Sequence, residues 1–360
     1  MSEAFELPEP GPLPEPGPLP EPGPLPAPGP LPEAGPLPEA GPLGGSVTVV
    51  GQGGAVGREL LALLGEWGQS PESIVGLGRG AEPGSGAGDV VFLCTPAEVS
   101  RAWAAALAAQ DEPPRVVVDL SSAARRSAPL IVPEANGALL RELGGPRAQQ
   151  PLLLAGPNCT AALAAVVLAP IQRVAGLAAV SLVSLQAASG AGAAGLAALE
   201  AEEAGGRALE SPFPGPLARN VIPGVGEGRA GEASGEEQKV LWELRQLLGR
   251  GDLELEVTTT RVPVERCHSL ALHLTLERDL SPEAAVELLE GSPGLVVHME
   301  PHGPRPLECA GTDPVHVGRI RRGSAGPRSL SLFAVGDQLR KGAALNALQV
   351  AALVCASDRS

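Results

Sequence analysis

The alternation of apolar and polar positions predicts regular structure downstream of about residue 45. Short apolar runs such as "VTVV" and "VVFL" are each followed by a segment with helical spacing, the first one carrying Leu60, Leu61, Leu63 and Leu64. Continuous apolar runs are typical of parallel strands that helices cover on both faces. The pattern therefore predicts an α/β fold that begins with a doubly wound, Rossmann-type domain.

After Pro151 the pattern changes to longer strands and helices. The run "AAVSLVSLQ" predicts a strand, and "SGEEQKVLWELRQLLG" predicts an amphipathic helix with Ser234 as its N-cap. Alternation in "LELEVTTTRVPVERCHSLALHLTLE" predicts strands with a bend or bulge at Pro263. The segment "SPEAAVELLEG" predicts a capped helix, and "SLSLFAVGDQLRKGAALNALQVAALV" predicts a strand that leads into a terminal helix. We expect an α+β domain here.

The N-terminal segment does not fit either pattern, because the six-residue unit "LPEPGP" and its variants repeat through it. Proline at this frequency excludes helix and central strand, so we predict a disordered tail, partly polyproline II. The tail is either an acidic solvating arm or a partner-binding segment. The predicted domains are the tail at 1–45, a dinucleotide-binding domain at 46–150 that the C-terminal helix 337–356 completes, and a catalytic and dimerisation domain at 151–336.

Composition excludes several classes of function. A net charge of −15 and the absence of tyrosine argue against nucleic-acid binding, which needs clustered Lys and Arg with aromatic stacking surfaces. No apolar run of about 20 residues is present, and no basic region precedes an apolar one at the N-terminus, so we expect no membrane segment and a cytoplasmic protein. Five scattered cysteines without CxxC spacing predict neither a disulfide framework nor a metal site.

A glycine-rich turn follows the first predicted strand. Gly51, Gly54 and Gly57 lie in "GQGGAVG", where the backbone can approach a pyrophosphate and the next helix offers it free N–H groups. This position in a β/α pattern predicts dinucleotide binding. Arg79, after the second strand, suits a ribose 2′-phosphate and favours NADP, with NAD as the alternative cofactor. A solvated loop arginine is the competing interpretation of Arg79.

Cys159 is the candidate nucleophile. It lies in "AGPNCTAALAAVVL", at the first turn of a predicted helix, where orphan N–H groups and the helix dipole favour the thiolate. A buried structural cysteine is the alternative. His268, in "RVPVERCHS", would complete the Cys and His pair that thiol-based catalysis requires, although a lone histidine is usually structural.

Other polar residues could bind an anionic substrate. Arg261 precedes His268 on the same segment and is a natural fork for a carboxylate. Arg125, after a Ser-Ser turn, is a candidate phosphate ligand, and Gln186 could orient a carbonyl through its amide. The helix "GEEQKV" presents Glu236 and Lys239 on one face, where a solvated ion pair is the alternative interpretation.

The ordered set of motifs resembles the aspartate-β-semialdehyde dehydrogenase family. "GPNCT", "LQAASGAG", "NVIPGV", "EEQK", "RVPVERCHS", "VGRIR" and "DQLRKGAALNALQVA" occur in the family's order, from about Ser46 to the C-terminus. The resemblance implies reductive dephosphorylation of L-aspartyl-4-phosphate by NADPH, through a cysteine thioester, on the route to lysine, methionine and threonine. It also implies a homodimer that the second domain forms and a small-molecule substrate.

Site roles follow from the resemblance, position by position. Cys159 matches the nucleophile, His268 its acid/base partner and Gln186 the glutamine that orients the acyl-enzyme. Arg261 and Glu236 match substrate-binding positions, whereas the phosphate positions are Arg125 and Lys239. The positions that match cofactor contacts are Gly51, Gly54, Ala55, Val56, Gly57, Arg79, Gly190 and Gln338.

The sequence departs from the family pattern in four places, and two alternative families are considered beside this assignment. The segment from Arg79 to Asp89 is much shorter than the family's. "GQGGAVG" has Gln52 and Gly53 where the family has Ala-Thr, and Gln338 stands where many members have Asn. Cys267 replaces a glycine before the histidine, so a positive φ there would be strained.

The alternatives are a Usg-type paralogue with a binding or scaffold role, and N-acetyl-γ-glutamyl-phosphate reductase, whose cysteine segment usually reads G-C-Y-P-T.

Overall fold

The computed structural model describes residues 37–143, 150–206 and 210–357. The predicted tail falls mainly on residues 1–36, which lie outside the described residues, so that prediction is not tested. Within the described part of the chain, no helix is both long enough and apolar enough to span a bilayer.

The first sheet has five parallel strands in the order β2-β1-β3-β4-β5. The strands are β1 (Val47–Val50), β2 (Ile74–Leu77), β3 (Val90–Leu93), β4 (Val116–Asp119) and β5 (Leu152–Ala155). Their apolar side chains are almost entirely buried from β1 to β4 except in the edge strand β2, as expected for a sheet covered on both faces. The predicted doubly wound domain is confirmed.

Helices cover this sheet on both faces. They are α1 (Ala55–Glu66), α2 (Ala97–Ala108), α3 (Pro133–Asn136) and α4 (Leu139–Leu143), with a 3-10 turn at Pro71–Ser73. Leu60, Leu63 and Leu64 of α1 pack in one apolar cluster with the C-terminal helix α10 (Leu345–Ser357), and Trp103 of α2 packs in a second cluster. The last helix of the chain thus contributes to the core of the first sheet.

The first sheet continues beyond the boundary that the sequence predicted at residue 150. β5 pairs in register with β4, from Val116 opposite Leu152 to Asp119 opposite Ala155. The segment that leaves β5 therefore starts at the same sheet edge as the glycine turn, because parallel strands share their carboxyl ends.

The second sheet has seven strands in the order β10-β11-β12-β9-β6-β8-β7. They are β6 (Leu177–Gln186), β7 (Ile222–Pro223), β8 (Glu254–Arg261), β9 (His268–Leu276), β10 (Leu295–His298), β11 (Val315–Arg322) and β12 (Ser329–Gly336). The sheet is mixed, because β6 pairs in parallel with β8 and antiparallel with β9. This confirms the predicted α+β architecture after Pro151.

The helices of this part of the chain are α5 (Cys159–Ala175), α6 (Gly192–Glu203), α7 (Gly235–Leu247), α8 (Pro282–Glu290) and α9 (Pro306–Cys309), with a 3-10 turn at Ala188–Ala191. α5 packs on one face of the second sheet, whereas Cys309 of α9 packs with Phe333 and Val335 on the opposite face. The largest apolar cluster lies between this sheet and α5, whose positions are buried almost throughout. Ser234 caps α7 in a capping box with Glu237, which confirms the predicted N-cap.

The terminal helix was predicted to begin near residue 337, directly after the last strand. The structure instead has a turn and then a π-helical segment, Arg340–Ala344, before α10 begins at Leu345. Asp337 accounts for the difference, because its carboxylate accepts the N–H groups of Leu339 and Arg340 and so holds a separate turn there. π-helical segments often occur at functional sites.

Candidate active site

Cys159 is the first residue of α5, as the sequence predicted. The chain leaves β5 at Ala155, and Asn158 caps the helix by accepting the N–H groups of Thr160 at 2.9 Å and Ala161 at 3.2 Å. The thiol is half-buried. The π-helical segment lies against it, since a Cβ added to Gly342 would come within 3.0 Å of the Cys159 Cβ. The candidate nucleophile thus lies at the junction of both sheets.

The protonation state of Cys159 differs from the sequence expectation. We expected the helix N-terminus to favour the thiolate, but burial, reinforced by the charge of Glu236, raises the pKa of the Cys159 thiol to about 11. Arg125 and Arg261 act in the opposite direction, without outweighing these two effects. In the substrate-free site the residue is a thiol at neutral pH.

His268 is the first residue of β9 and is fully buried. Its Nδ1 accepts the backbone N–H of Ala187 at 3.2 Å, so the neutral ring carries its proton on Nε2. Among the described residues Nε2 has no hydrogen-bond partner. Burial, helped by the nearby Arg261 charge, lowers the pKa of His268 to about 3. The imidazole is therefore neutral and offers an unused N–H donor.

Two buried residues shape the loop before His268. Cys267 has a φ of 73°, which confirms that this position requires the left-handed conformation. Its N–H donates to Oε1 of Gln338 at 2.8 Å, and Nε2 of Gln338 donates to the Ser189 hydroxyl. The Gln338 amide therefore joins the loop before His268 to the turn after β6.

Arg261 and Gln186 lie side by side, because β6 and β8 pair with these two residues in register. Nη1 of Arg261 donates to the Ala187 carbonyl at 2.7 Å, and Phe213 lies 5.8 Å from the Arg261 guanidinium carbon. The Gln186 amide donates to the Thr160 hydroxyl at 3.1 Å. The last residues of β6 and β8 thus border the first turn of α5, which carries the thiol.

Gly190 is a close-packed position beside this pair. A Cβ there would come within 2.5 Å of the Arg261 Nη1 and within 3.0 Å of the His268 ring. The family resemblance predicts that Gly190 contacts the cofactor. The structure adds a steric reason for glycine at this position, because any larger residue would displace the Arg261 and His268 side chains.

Arg125 approaches the site from the end of β4. Asp119 holds the turn by accepting the N–H groups of Ser121 at 2.9 Å and Ala124 at 3.0 Å. Nε of Arg125 donates to two carbonyls, those of Ser121 at 3.1 Å and Gly156 at 3.0 Å. The guanidinium is thereby fixed beside the segment that leads to the cysteine, as a phosphate ligand would need to be.

Glu236 and Lys239 lie on α7 and form the ion pair that the sequence analysis named as their alternative, with Nζ 3.6 Å from Oε2. Glu236 also accepts from the Asn158 side-chain amide at 2.6 Å, so it contacts the N-cap of α5, the helix that begins at Cys159. The Lys239 side chain is half exposed, so an anion in solvent can reach its ammonium group beside Glu236. The ion pair therefore lies beside Cys159 and not on a remote, solvated face of α7.

Sequence reasoning missed Asn158 and Glu243. Asn158 is an N-cap residue next to the cysteine, which the capping preference for asparagine could have identified. Glu243 is only 1% exposed and accepts both from Arg125 Nη1 at 3.0 Å and from the Asn158 N–H. Its spacing of seven from Glu236 placed it on the same helical face, but nothing local distinguished it from a surface acid.

The glycine turn fits the pyrophosphate of a dinucleotide. Gly51 has a φ of 86°, and a Cβ there would collide with the Cys94 carbonyl. Gly54 caps α1 with no side-chain hydrogen bond, so the N–H groups of the first turn, including Ala55 and Val56, are open to an anion. A Cβ on Gly57 would strike the Gly51 carbonyl, so the tight turn also requires glycine there.

Arg79 and Gln338, the other two residues predicted to contact the cofactor, differ in exposure. Arg79 is exposed in the turn after β2, where it can reach solvent-side groups such as a ribose phosphate. Gln338 is buried and both ends of its amide are engaged, so it reaches a cofactor only through the loops that it joins.

The chain matches two family models. Residues 168–341 match the semialdehyde dehydrogenase dimerisation domain, and residues 81–143 match the semialdehyde dehydrogenase NAD binding domain. The chain is similar to a crystal structure of aspartate semialdehyde dehydrogenase II from Vibrio cholerae complexed with ASA, with 27% identity and a TM-score of 0.77 over 86% of this chain and 97% of that one.

Curated relatives agree with these matches. The aspartate-semialdehyde dehydrogenase of Streptomyces akiyoshiensis is 38% identical over 290 residues, which cover 74% of this chain and 81% of the relative. That of Synechocystis sp. is 32% identical over 339 residues, covering 86% and 96%. These relatives support the dehydrogenase and not the Usg-type alternative. The chain belongs to the aspartate-semialdehyde dehydrogenase family.

Proposed function

We propose that this chain is an NADP-dependent aspartate-semialdehyde dehydrogenase, which reductively dephosphorylates L-aspartyl-4-phosphate to L-aspartate 4-semialdehyde in lysine, methionine and threonine biosynthesis. One observation carries the assignment of the site. Cys159 lies within the electrostatic influence of Arg125, Arg261 and Glu236, which three different segments contribute. A thiol surrounded by two cations and a carboxylate suits a substrate that has an amino group, a carboxylate and an acyl phosphate.

The substrate would be bound at both ends. Arg261 is buried and fixed by the Ala187 carbonyl, so its remaining donors can form the fork that binds the α-carboxylate. Glu236 is the anionic partner for the α-amino group. At the other end, Arg125 and Lys239 would bind the phosphoryl group, because both lie beside the loop that precedes Cys159.

The first chemical step is a displacement at the acyl carbon. The Cys159 sulfur bonds to that carbon, the bond to the phosphate oxygen breaks, and the thiol proton ends on the departing phosphate, which leaves a thioester and hydrogen phosphate. The buried Nε2–H of His268 would donate to the acyl oxygen as negative charge develops there. Gln186, which borders Thr160, would orient the acyl group.

The second step is reduction of the thioester. NADPH, when bound, supplies the hydride for this step. The turn at Gly51–Gly57, with Arg79, would hold the cofactor, and Gly190 leaves room beside the catalytic histidine. Release of the aldehyde and the Cys159 thiol consumes one proton, which would come from solvent, while the neutral Nε2–H of His268 would hydrogen-bond the acyl oxygen during the step.

The proposed assembly is a homodimer through the second sheet. The strands β6 and β9 turn Ser181, His273 and Thr275 outward on one face, and a cavity of about 580 Å³ lies over that face. Paired sheets would cover it in a dimer, which light scattering of the purified chain would detect as twice the mass of one chain. The cytoplasmic location remains a prediction.

Phosphate-dependent reduction of NADP at 340 nm with aspartate semialdehyde tests the function. We expect turnover in the natural chain and none in Cys159→Ala with a native circular dichroism spectrum. The same assay with NAD tests cofactor preference. Absence of turnover from folded protein with both cofactors would overturn the assignment in favour of a paralogue that has lost the reaction.

A further inference from the structure

We infer that Glu243 is a positioning residue for the phosphate half of the site, because its carboxylate joins the Arg125 guanidinium to the peptide that precedes Cys159. The inference rests on the proposed function and extends it to a residue outside the set that sequence reasoning identified. Glu243 itself would not touch the substrate.

The contacts of Glu243 run in two directions from one buried carboxylate. Oε1 accepts from Nη1 of Arg125 at 3.0 Å, and Oε2 accepts from the backbone N–H of Asn158. Asn158 is the N-cap of α5, so its peptide orients the residue that follows it, Cys159. A shift of Glu243 would therefore move the phosphate ligand and the nucleophile together.

Arg125 is held so that one end of its guanidinium stays available. Nε is engaged by the carbonyls of Ser121 and Gly156, and Nη1 is engaged by Glu243. The described residues provide no hydrogen-bond partner for Nη2, which leaves it as the donor for an anion. Without Glu243, the outer part of the fork could rotate about the remaining contacts at Nε.

Only a carboxylate satisfies this position. Both partners of Glu243 are donors, so the side chain must present two acceptors, and an amide would turn its NH₂ group toward one of them. Burial, with the charge of Glu236, raises the pKa of Glu243, and Arg125 and the Asn158 N–H only partly offset this rise. Glu243→Gln preserves the size of the side chain and removes one of the two links.

Glu237 offers a matched control on the same helix. Its carboxylate also accepts from two backbone donors, the N–H groups of Ser234 at 2.7 Å and Thr259 at 2.9 Å. Glu237→Gln therefore carries the same change from carboxylate to amide between two donors, but away from Arg125. Any loss that the two variants share reports on folding rather than on the phosphate site.

The experiment compares the KM for phosphate, the KM for NADP and kcat in the natural chain, Glu243→Gln and Glu237→Gln, in the direction that forms the acyl phosphate. We expect Glu243→Gln to raise the KM for phosphate by at least about tenfold and to lower kcat, since it loosens charge-assisted hydrogen bonds. The KM for NADP should stay unchanged, and Glu237→Gln should keep the natural KM for phosphate. An unchanged KM for phosphate in Glu243→Gln, or an equal rise in Glu237→Gln, overturns the inference.

A binding measurement separates this inference from the proposed function. If the natural chain shows no turnover, the dehydrogenase assignment fails, but inorganic phosphate should still raise the thermal midpoint of the natural chain and of Glu237→Gln. Under the inference, Glu243→Gln loses most of that stabilisation. Equal stabilisation of all three proteins by phosphate, or of none, overturns it.

Discussion

The backbone N–H of Ala187 donates to Nδ1 of His268 over 3.2 Å, so one peptide fixes which nitrogen of this histidine carries the proton. In the neutral ring the proton lies on Nε2, which is buried and unpartnered among the described residues. A histidine fixed in this way begins as a donor, not as a base.

The first prediction concerns the titration of His268. Because burial and Arg261 lower its pKa to about 3, the ring stays neutral from pH 5 to pH 8 in the substrate-free protein. Nitrogen-15 NMR of labelled histidine should show one ring that keeps an Nε2–H tautomer over this range. His268→Gln removes that signal and assigns it. Protonation of this ring near pH 6.5 would contradict the prediction.

The second prediction concerns the reactivity of Cys159. Its thiol pKa is raised to about 11, so alkylation by iodoacetamide should accelerate as pH rises through 8 and 9. Glu236→Gln removes a negative charge that disfavours the thiolate, so the pKa falls and alkylation at pH 8 becomes roughly fivefold faster. Peptide mass spectrometry distinguishes Cys159 from the other four cysteines. An unchanged or slower rate in Glu236→Gln would refute the electrostatic explanation.

The third prediction concerns Gly190. In Gly190→Ala the new methyl group meets the Arg261 Nη1 and the His268 ring, so both side chains must move. We expect kcat/KM in the 340 nm assay to fall by about 100-fold or more, as misplacement of a catalytic group does. The control is Gly65→Ala in α1, where nothing lies within 4 Å of the added Cβ and activity should stay natural. Natural activity in Gly190→Ala would contradict the close packing.

The fourth prediction concerns the strained residue beside the histidine. Cys267 has a φ of 73°, a conformation that glycine adopts freely and other residues adopt at a cost. Cys267→Gly relieves this strain, whereas Cys267→Ala keeps it while losing the sulfur from the cluster with Cys309 and Val335. We therefore expect the glycine variant to be the more stable of the two by about 1 kcal/mol in urea unfolding. A more stable Cys267→Ala variant would contradict the prediction and show that side-chain packing at this position outweighs the backbone strain.

The sequence by itself determined the local features of this protein. The Gly51 to Gly57 turn, the cap at Ser234 and the position of Cys159 at a helix start depend on neighbours within a few residues, and each was predicted correctly. Continuous apolar runs likewise predicted a parallel sheet, because a strand that is buried on both faces needs an apolar residue at every position.

Only the tertiary structure decided features that depend on distant segments. The protonation of Cys159 follows from burial and from Glu236 on another helix, and it reversed an expectation based on the helix dipole alone. The role inferred for Glu243 rests on contacts with residues 85 and 118 positions away along the chain. Charges and buried donors act through space with a strength that solvent exposure sets, and no sequence pattern records that exposure before the chain has folded.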